Sequence, residues 1–301
     1  MLQEKQNTEQ LIEEPPRDLR DGLAENIGDI SMLPEVATEA MLLCNDVECT
    51  PERLSKVIGK DVFLSTEMLA FANCSMYANG TTITNLNDAI VRLGLRKCSN
   101  LIVASGTASL LNKMPLETAW VRDILWEHSF LTARVASILN KTLRLRFQGE
   151  EFSAGLLHDF GRLLLAVSVG ERFSVADPLS FGDEADALKK EFEVLGTDHC
   201  RYGAWLAHVS GLPTCLIDVI RWHHHDAVPL ESAESEPLIR LVAAADHIAN
   251  NLQIDFCLAE YNPETNVGLR KLGVIFNRDF VGEFPAVAEV LMPELSQDGN
   301  A

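Results

Sequence analysis

The sequence predicts an all-α protein of two helical lobes, and three observations carry that prediction. Phe, Trp and Tyr make up only 7% of the 301 residues, so strands lack the aromatic material they favour. Sustained alternation of apolar and polar positions, the mark of a half-buried strand, is scarce. Apolar residues instead recur at helical spacing in short segments bounded by capping residues. With 47% apolar residues the chain can fill a large core, which excludes general disorder.

Residues 1–28 carry Pro15-Pro16, many charges and no apolar stripe, so they are expected to form a tail, mobile or weakly docked. LPEVATEAMLL (33–43) predicts the first helix, with Pro34 in its first turn and Val36, Ala40 and Leu43 on one face. Thr50-Pro51 reads as an N-cap and N1 proline opening PERLSKVIG, where Leu54, Val57 and Ile58 point inward and Gly59 ends the helix. LSTEMLAFAN (64–73) follows. In ITNLNDAIVRLGL (83–95), Leu86, Ile90 and Leu93 share a face behind Asn/Thr caps, and Gly94 stops the helix. LIVASGTASLL (101–111) is apolar or small nearly all round and predicts a buried helix packed closely through Ala104, Gly106 and Ala108. These segments make residues 29–118 one lobe and 119–255 a second. Residues 256–301, with helical signals such as FPAVAEVLM (284–292), form an extension expected on the second lobe or on another copy of the chain.

Charge narrows the function. Twenty-five Lys and Arg against 44 Asp and Glu give a net −19, so a nucleic acid or an anionic membrane meets repulsion before local contacts form. The helices around Gly94 superficially suggest a helix-turn-helix, but no Lys/Arg row accompanies the second. No apolar run approaches the ~18 residues of a membrane span, and the first residues are polar and acidic, so a soluble cytoplasmic protein is expected. Seven scattered cysteines without a CxxC pair read as reduced thiols rather than disulfides or a zinc-thiolate site.

All eight histidines lie after residue 127, which confines metal or proton-transfer chemistry to the second lobe. His128 shares a helical face with Leu131, Val135 and Ile138 and so points into the core; alone, it would more often be a core histidine bonded to a carbonyl. In GLLHDFGRLLL (155–165), His158 and Asp159 stand side by side in an apolar helix, where an ionised carboxylate needs a compensating cation. A metal would serve, as would an ion pair with Arg162. Neighbours on a helix diverge by ~100°, so both could bind one ion only if it sat off the helix face. His199 lies on a face with Gly203 and Leu206, and the glycine allows another helix close by. His223, His224 and His225 end a helix, and at most two of them can reach one site. Asp246 is a further carboxylate in an apolar helix, while His208 and His247 are expected to face solvent or satisfy local carbonyls.

The order His, His-Asp, His, His-His, Asp resembles the HD superfamily of helical metal-dependent phosphohydrolases, in its two-metal version. LPEVATEAMLL, MLAFANCSMY (68–77), LNDAIVRLGL (86–95), WEHS (126–129), GLLHDFGR (155–162), LGTDH (195–199) and VIRWHH look like the HDOD family of bacterial HD-related output domains over residues 28–228, with the final Asp extending the likeness to about residue 250. The resemblance implies a signalling or regulatory module, an HD-type helical core in the second lobe, and one or two ions of Fe, Mn, Zn or Ni. His128, His158, Asp159 and Asp246 would hold one ion, and a bridging Asp159 with His199, His223 and His224 the second. It implies a signalling protein or a small phosphorylated ligand as partner. The alternative it implies is hydrolysis of a phosphodiester, with Arg162 positioning phosphate. Here the chain departs from the related HD-GYP phosphodiesterases. Their double histidine continues as HHE and a DGxGYP loop where this chain reads HHHDAVPL, and Arg162 stands where they carry Lys.

Overall fold

The computed structural model describes residues 12–27, 35–44, 46, 48–73, 81–111, 119–179, 184–255, 257–258 and 260–297, and no strand occurs among them. The first helix is a correction. Residues expected in a tail form α1 (Arg17–Ile27), whose Leu19 and Leu23 are each 1% exposed. Two leucines one turn apart make a narrow stripe, easily overlooked among the surrounding charges. Tyr202 Oη donates to Leu19 O at 3.0 Å and Asn26 Nδ2 to Val167 O at 2.9 Å, tying α1 to the second lobe.

The first lobe comprises α2 (Glu35–Cys44), α3 (Pro51–Ile58), α4 (Val62–Asn73), α5 (Leu86–Leu93) and α6 (Leu95–Leu111). Thr50 caps α3 by accepting from Arg53 N, and Asn85 caps α5 by accepting from Asp88 N. Gly94 ends α5 at φ +81°. Along α6, Cys98, Leu101, Ile102 and Val103 are buried. Pro34, residues 74–77 and the side chains of Ala104 and Ala108 lie outside the described residues.

The second lobe comprises α7 (Ala119–Leu143), α8 (Glu150–Leu157), α9 (Phe160–Val169), α10 (Phe173–Ala176), α11 (Glu184–Leu195), α12 (His199–Val209), α13 (Thr214–Trp222) and α14 (Glu236–Asp255). The extension adds α15 (Val267–Phe276) and α16 (Phe284–Gln297). One apolar cluster runs from Leu19 through both lobes to Val242, so the lobes share a core. Phe71 meets Phe152 edge-on at 5.5 Å across their junction, and Ser153 Oγ donates to Asn100 O at 2.8 Å. A second cluster joins the C-terminal half of α7 to α14, α15 and α16, so the extension docks on its own second lobe. Residues 150–176 contain an 18-residue window long and apolar enough by composition to match a membrane span, although polar and charged residues interrupt it. In the fold, 89% of that window is buried inside the protein.

Two close helix crossings set up the site. A Cβ on Gly155 would lie 2.7 Å from Ala133 Cα, so α8 rides directly on the α7 backbone. A Cβ on Gly161 would lie 1.8 Å from His199 O, and Gly203 sits on the same contact, with Gly161 N 3.0 Å from its own ideal Cβ. The α9–α12 crossing is therefore glycine on glycine, at a separation no other residue pair allows. The first crossing places His158 beside His128, and the second places His199 beside Asp159.

Candidate metal centre

His158 and Asp159 are not in the middle of a helix, as the sequence suggests. They occupy the break between α8 and α9, where Asp159 takes φ −96° and ψ 11° and leaves the helical path. That turn removes the 100° divergence between helical neighbours and lets both side chains enter one site. His128 comes from α7, His199 from the first turn of α12, His223 and His224 from the end of α13, and Asp246 from α14. His128, His158, Asp159, His199, His223 and Asp246 are all buried; His224 has 8% of its side chain exposed.

The seven side chains gather in two adjoining sets, His128–His158–Asp246 and Asp159–His199–His223–His224, with ligand atoms within 4.8 Å of one another in each. Asp159 stands between them. Its Oδ2 lies 3.7 Å from both His128 Nε2 and His158 Nε2. Its Oδ1 lies 3.4 Å from His199 Nε2, 3.6 Å from His223 Nε2 and 4.0 Å from His224 Nε2. One carboxylate thus turns an oxygen to each set.

The histidine tautomers follow from their outer partners. His128 Nδ1 is 2.9 Å from Gln253 Oε1, and His158 Nδ1 is 2.7 Å from Gly155 O. His199 Nδ1 is 2.9 Å from both Glu191 oxygens, and His223 Nδ1 is 3.0 Å from Val219 O. An oxygen at Nδ1 calls for a proton there, so each of these rings, when neutral, turns the lone pair of Nε2 inward. Asp159 Oδ1, His199 Nε2 and His223 Nε2 are buried with no hydrogen-bond partner, although they face one another. With the rings neutral, lone pairs face lone pairs and repel, and each orphaned buried atom costs roughly 1–3 kcal/mol. A cation between them removes both penalties, so this donor set fits a metal.

The electrostatics agree. Burial works to raise Asp159 and Asp246, but His158 and Arg162 hold Asp159, and His128 and His158 hold Asp246, well below the usual carboxylate range. Burial, followed by His224, lowers His223 to about 3, which keeps its Nε2 free of a proton. Burial opposes protonation of His199 and His158, yet Cys200 and Glu191 raise the first and Asp159 and Asp246 the second. The potential that raises these imidazoles is one that also attracts a metal cation.

Arg162 does not reach out toward a phosphate. Its Nη1 donates to Asp159 Oδ2 at 2.9 Å, and Nε and Nη2 fork onto Asp177 at 2.7 and 2.9 Å. The guanidinium therefore anchors the carboxylate that stands between the two sets, as in the ion-pair alternative. Glu191, Asp177 and Gln253 are the supporting residues that sequence reasoning missed. His247 is half-buried, and its Nδ1 lies 3.0 Å from Tyr261 Oη. Cys98 and Cys200 are buried, Cys257 is exposed, and the described cysteines are free thiols.

The chain superposes on an HDOD domain protein of Geobacter sulfurreducens with a TM-score of 0.63 at 23% identity, covering 97% of this chain and 96% of that one. A Shewanella amazonensis protein whose name assigns it to the metal-dependent phosphohydrolases gives 0.57 at 16% identity, covering 92% and 100%. At these identities the likeness is one of fold. A curated relative, an uncharacterized protein of Treponema pallidum, is 26% identical over 225 residues, 74% of this chain and 43% of that protein. The chain thus spans less than half the length of that relative. The HDOD domain pattern itself matches residues 30–226, the greater part of the sequence. By that match the chain belongs to the HDOD family.

Proposed function

We propose that this protein is a regulatory module that holds two transition-metal ions and uses the filled site to bind a small phosphorylated ligand or a signalling partner in the cytoplasm, without turning the ligand over. The observation that carries the reading is Asp159, with one oxygen facing each histidine set and orphaned lone pairs around Oδ1. His128, His158 and Asp246 would hold one ion, His199, His223 and His224 the other, and Asp159 both. Fe, Mn, Zn and Ni all suit mixed imidazole and carboxylate ligands. Bound there, the ions would supply Lewis acidity and an acidified water.

The complete ligand set favours a second reading, hydrolysis of a phosphodiester. Two observations weigh against it. The substrate loop of the phosphodiesterases is missing after His225, and Arg162 is committed to Asp159 and Asp177. The test is elemental analysis of untagged protein, with His158→Ala and Asp159→Ala beside it, followed by a panel of phosphodiesters. About two metals per chain in the parent, fewer in both variants, and no turnover is the expected result. A parent without metal would overturn the site, and turnover lost in both variants would establish the enzyme.

A further inference from the structure

The two ligand sets differ in how their own atoms are paired. In the first, every ligand atom has a partner: His128 Nε2 lies 2.9 Å from Asp246 Oδ1 and 3.3 Å from His158 Nε2, Asn250 Nδ2 donates to Asp246 Oδ1 at 3.2 Å, and Arg162 occupies Asp159 Oδ2. The second holds the orphaned atoms, Asp159 Oδ1, His199 Nε2 and His223 Nε2. Its imidazole nitrogens stand 3.4, 3.6 and 4.0 Å from Asp159 Oδ1. Ligand atoms ~2.1 Å from a tetrahedral ion lie about 3.4 Å apart, so an ion fits the second set nearly as it stands, whereas the 2.9 Å contact of the first must open. The outer partners differ as well. Gln253, opposite His128 Nδ1, can turn its amide to accept or to donate, which allows His128 to keep a proton on Nε2 and give it to Asp246. Glu191, opposite His199, is 1% exposed. Both its oxygens lie 2.9 Å from His199 Nδ1, and one accepts from His199 N at 2.7 Å. An ionised carboxylate only accepts, so it fixes the proton of the neutral ring on Nδ1, commits Nε2 to a metal and makes that nitrogen a stronger donor.

We propose that the Asp159–His199–His223–His224 set is the tighter of the two metal positions and fills first, and that Glu191 is the positioning residue responsible. This rests on the reading of the two sets as a metal centre. An ion entering the second set satisfies atoms that have no other partner, whereas one entering the first must replace contacts already made. Asp246 does give the first set a carboxylate of its own, but His128 and Asn250 already share that oxygen. Arg162 acts in the same direction, because its positive charge sits on Asp159 Oδ2, the oxygen turned to the first set. His224, with 8% of its side chain exposed, opens the second set toward solvent, while His158 of the first is fully buried. The two-ion form then exists only above a second, higher metal concentration, so metal supply regulates the site.

Titration of Co²⁺ into the full-length protein, first stripped with a chelator, reads the order from cobalt absorption, and elemental analysis after dialysis counts the ions. Two steps are expected, separated by at least about tenfold in Kd. Asp246→Asn should keep the tighter step and lose the weaker, and His224→Asn should lose the tighter. Glu191→Gln is expected to weaken the tighter step roughly tenfold to a hundredfold and to alter its absorption spectrum, with the weaker step in place. Glu191→Asp, which keeps the charge, should recover part of that loss, and it still reports on the outer carboxylate if Glu191→Gln fails to fold. A change confined to one step is not what a general loosening of the fold produces. Steps of equal affinity overturn the order, as does a tighter step that Asp246→Asn abolishes or His224→Asn spares. Glu191 variants that load like the parent overturn its role. A parent that binds a single ion, kept in Asp246→Asn and lost in His224→Asn, supports the order and ends the two-ion reading; a parent that takes up no cobalt ends both.

Discussion

His223 puts an acid limit on the stability of the metal-free protein. Burial and His224 lower it to about 3, whereas an unfolded histidine titrates near ~6.5. Between those values the unfolded chain binds a proton that the folded chain refuses, so stability falls as pH drops, by up to ~1.4 kcal/mol per pH unit. His158 and His199 are raised, and their sign is opposite. Their contribution is complete below ~6.5 and is lost as pH rises through their raised values. Thermal melts of the stripped protein from about pH 4.5 to about pH 8 are therefore expected to peak near ~6.5. Burial and Arg221 also lower His225, to about 4, so His223→Asn should make the acid limb shallower without abolishing it and spare the alkaline one; an unchanged acid limb would place its origin elsewhere. His158, Asp159 and Asp246 stand out in the sequence because an imidazole or carboxylate in an apolar helix needs a partner, whereas the full set of seven, His223 and His224 rather than His225 above all, follows from the family resemblance. Glu191 gave no such signal, since EADALKKEFEVL reads as a solvated helix and its one buried carboxylate looks like its neighbours. Gln253 and Asp177 were hidden likewise, each being an ordinary polar residue whose role is set by what stands opposite.

Helices were read well where their ends carry chemistry. The Thr50-Pro51 and Asn85 caps and the Gly94 stop appear as the residues demand. Two elements lack such marks. The apolar run through GLLHDFGRLLL continues across the break at His158-Asp159, so periodicity alone could not show the turn. In α1 two leucines among charges were too few to outweigh composition, although tertiary contacts hold the helix. The α9–α12 crossing makes a sharper prediction. Gly161→Ala would push a methyl group into His199 O, forcing the helices apart at a cost of ~1–3 kcal/mol or more. The melting temperature should fall, and elemental analysis should show loss of metal from the set that His199 serves. A variant that melts and loads like the parent would mean that the crossing yields more easily than its packing suggests.

Across the whole molecule, 44 acidic residues on one folded chain repel one another. Salt shortens the reach of that repulsion, to a Debye length of ~10 Å at ~0.1 M. Raising NaCl from about 20 mM to about 300 mM is expected to raise the melting temperature by a few degrees. A melting point independent of salt would show that local ion pairs already balance the excess. The succession of short helices is legible in the sequence, but the single core that joins those before residue 111 to those after residue 119 is not, because a shared core depends on which faces meet across long stretches of chain. The second cluster has a practical consequence. Asp246 sits on α14, which packs with α15 and α16, and the family pattern stops at residue 226. A fragment trimmed to residues 30–226 would forfeit one ligand, the support from Gln253 and the docked helix α1, and would expose the apolar flank of α7. Negative results from such a fragment would describe a damaged molecule.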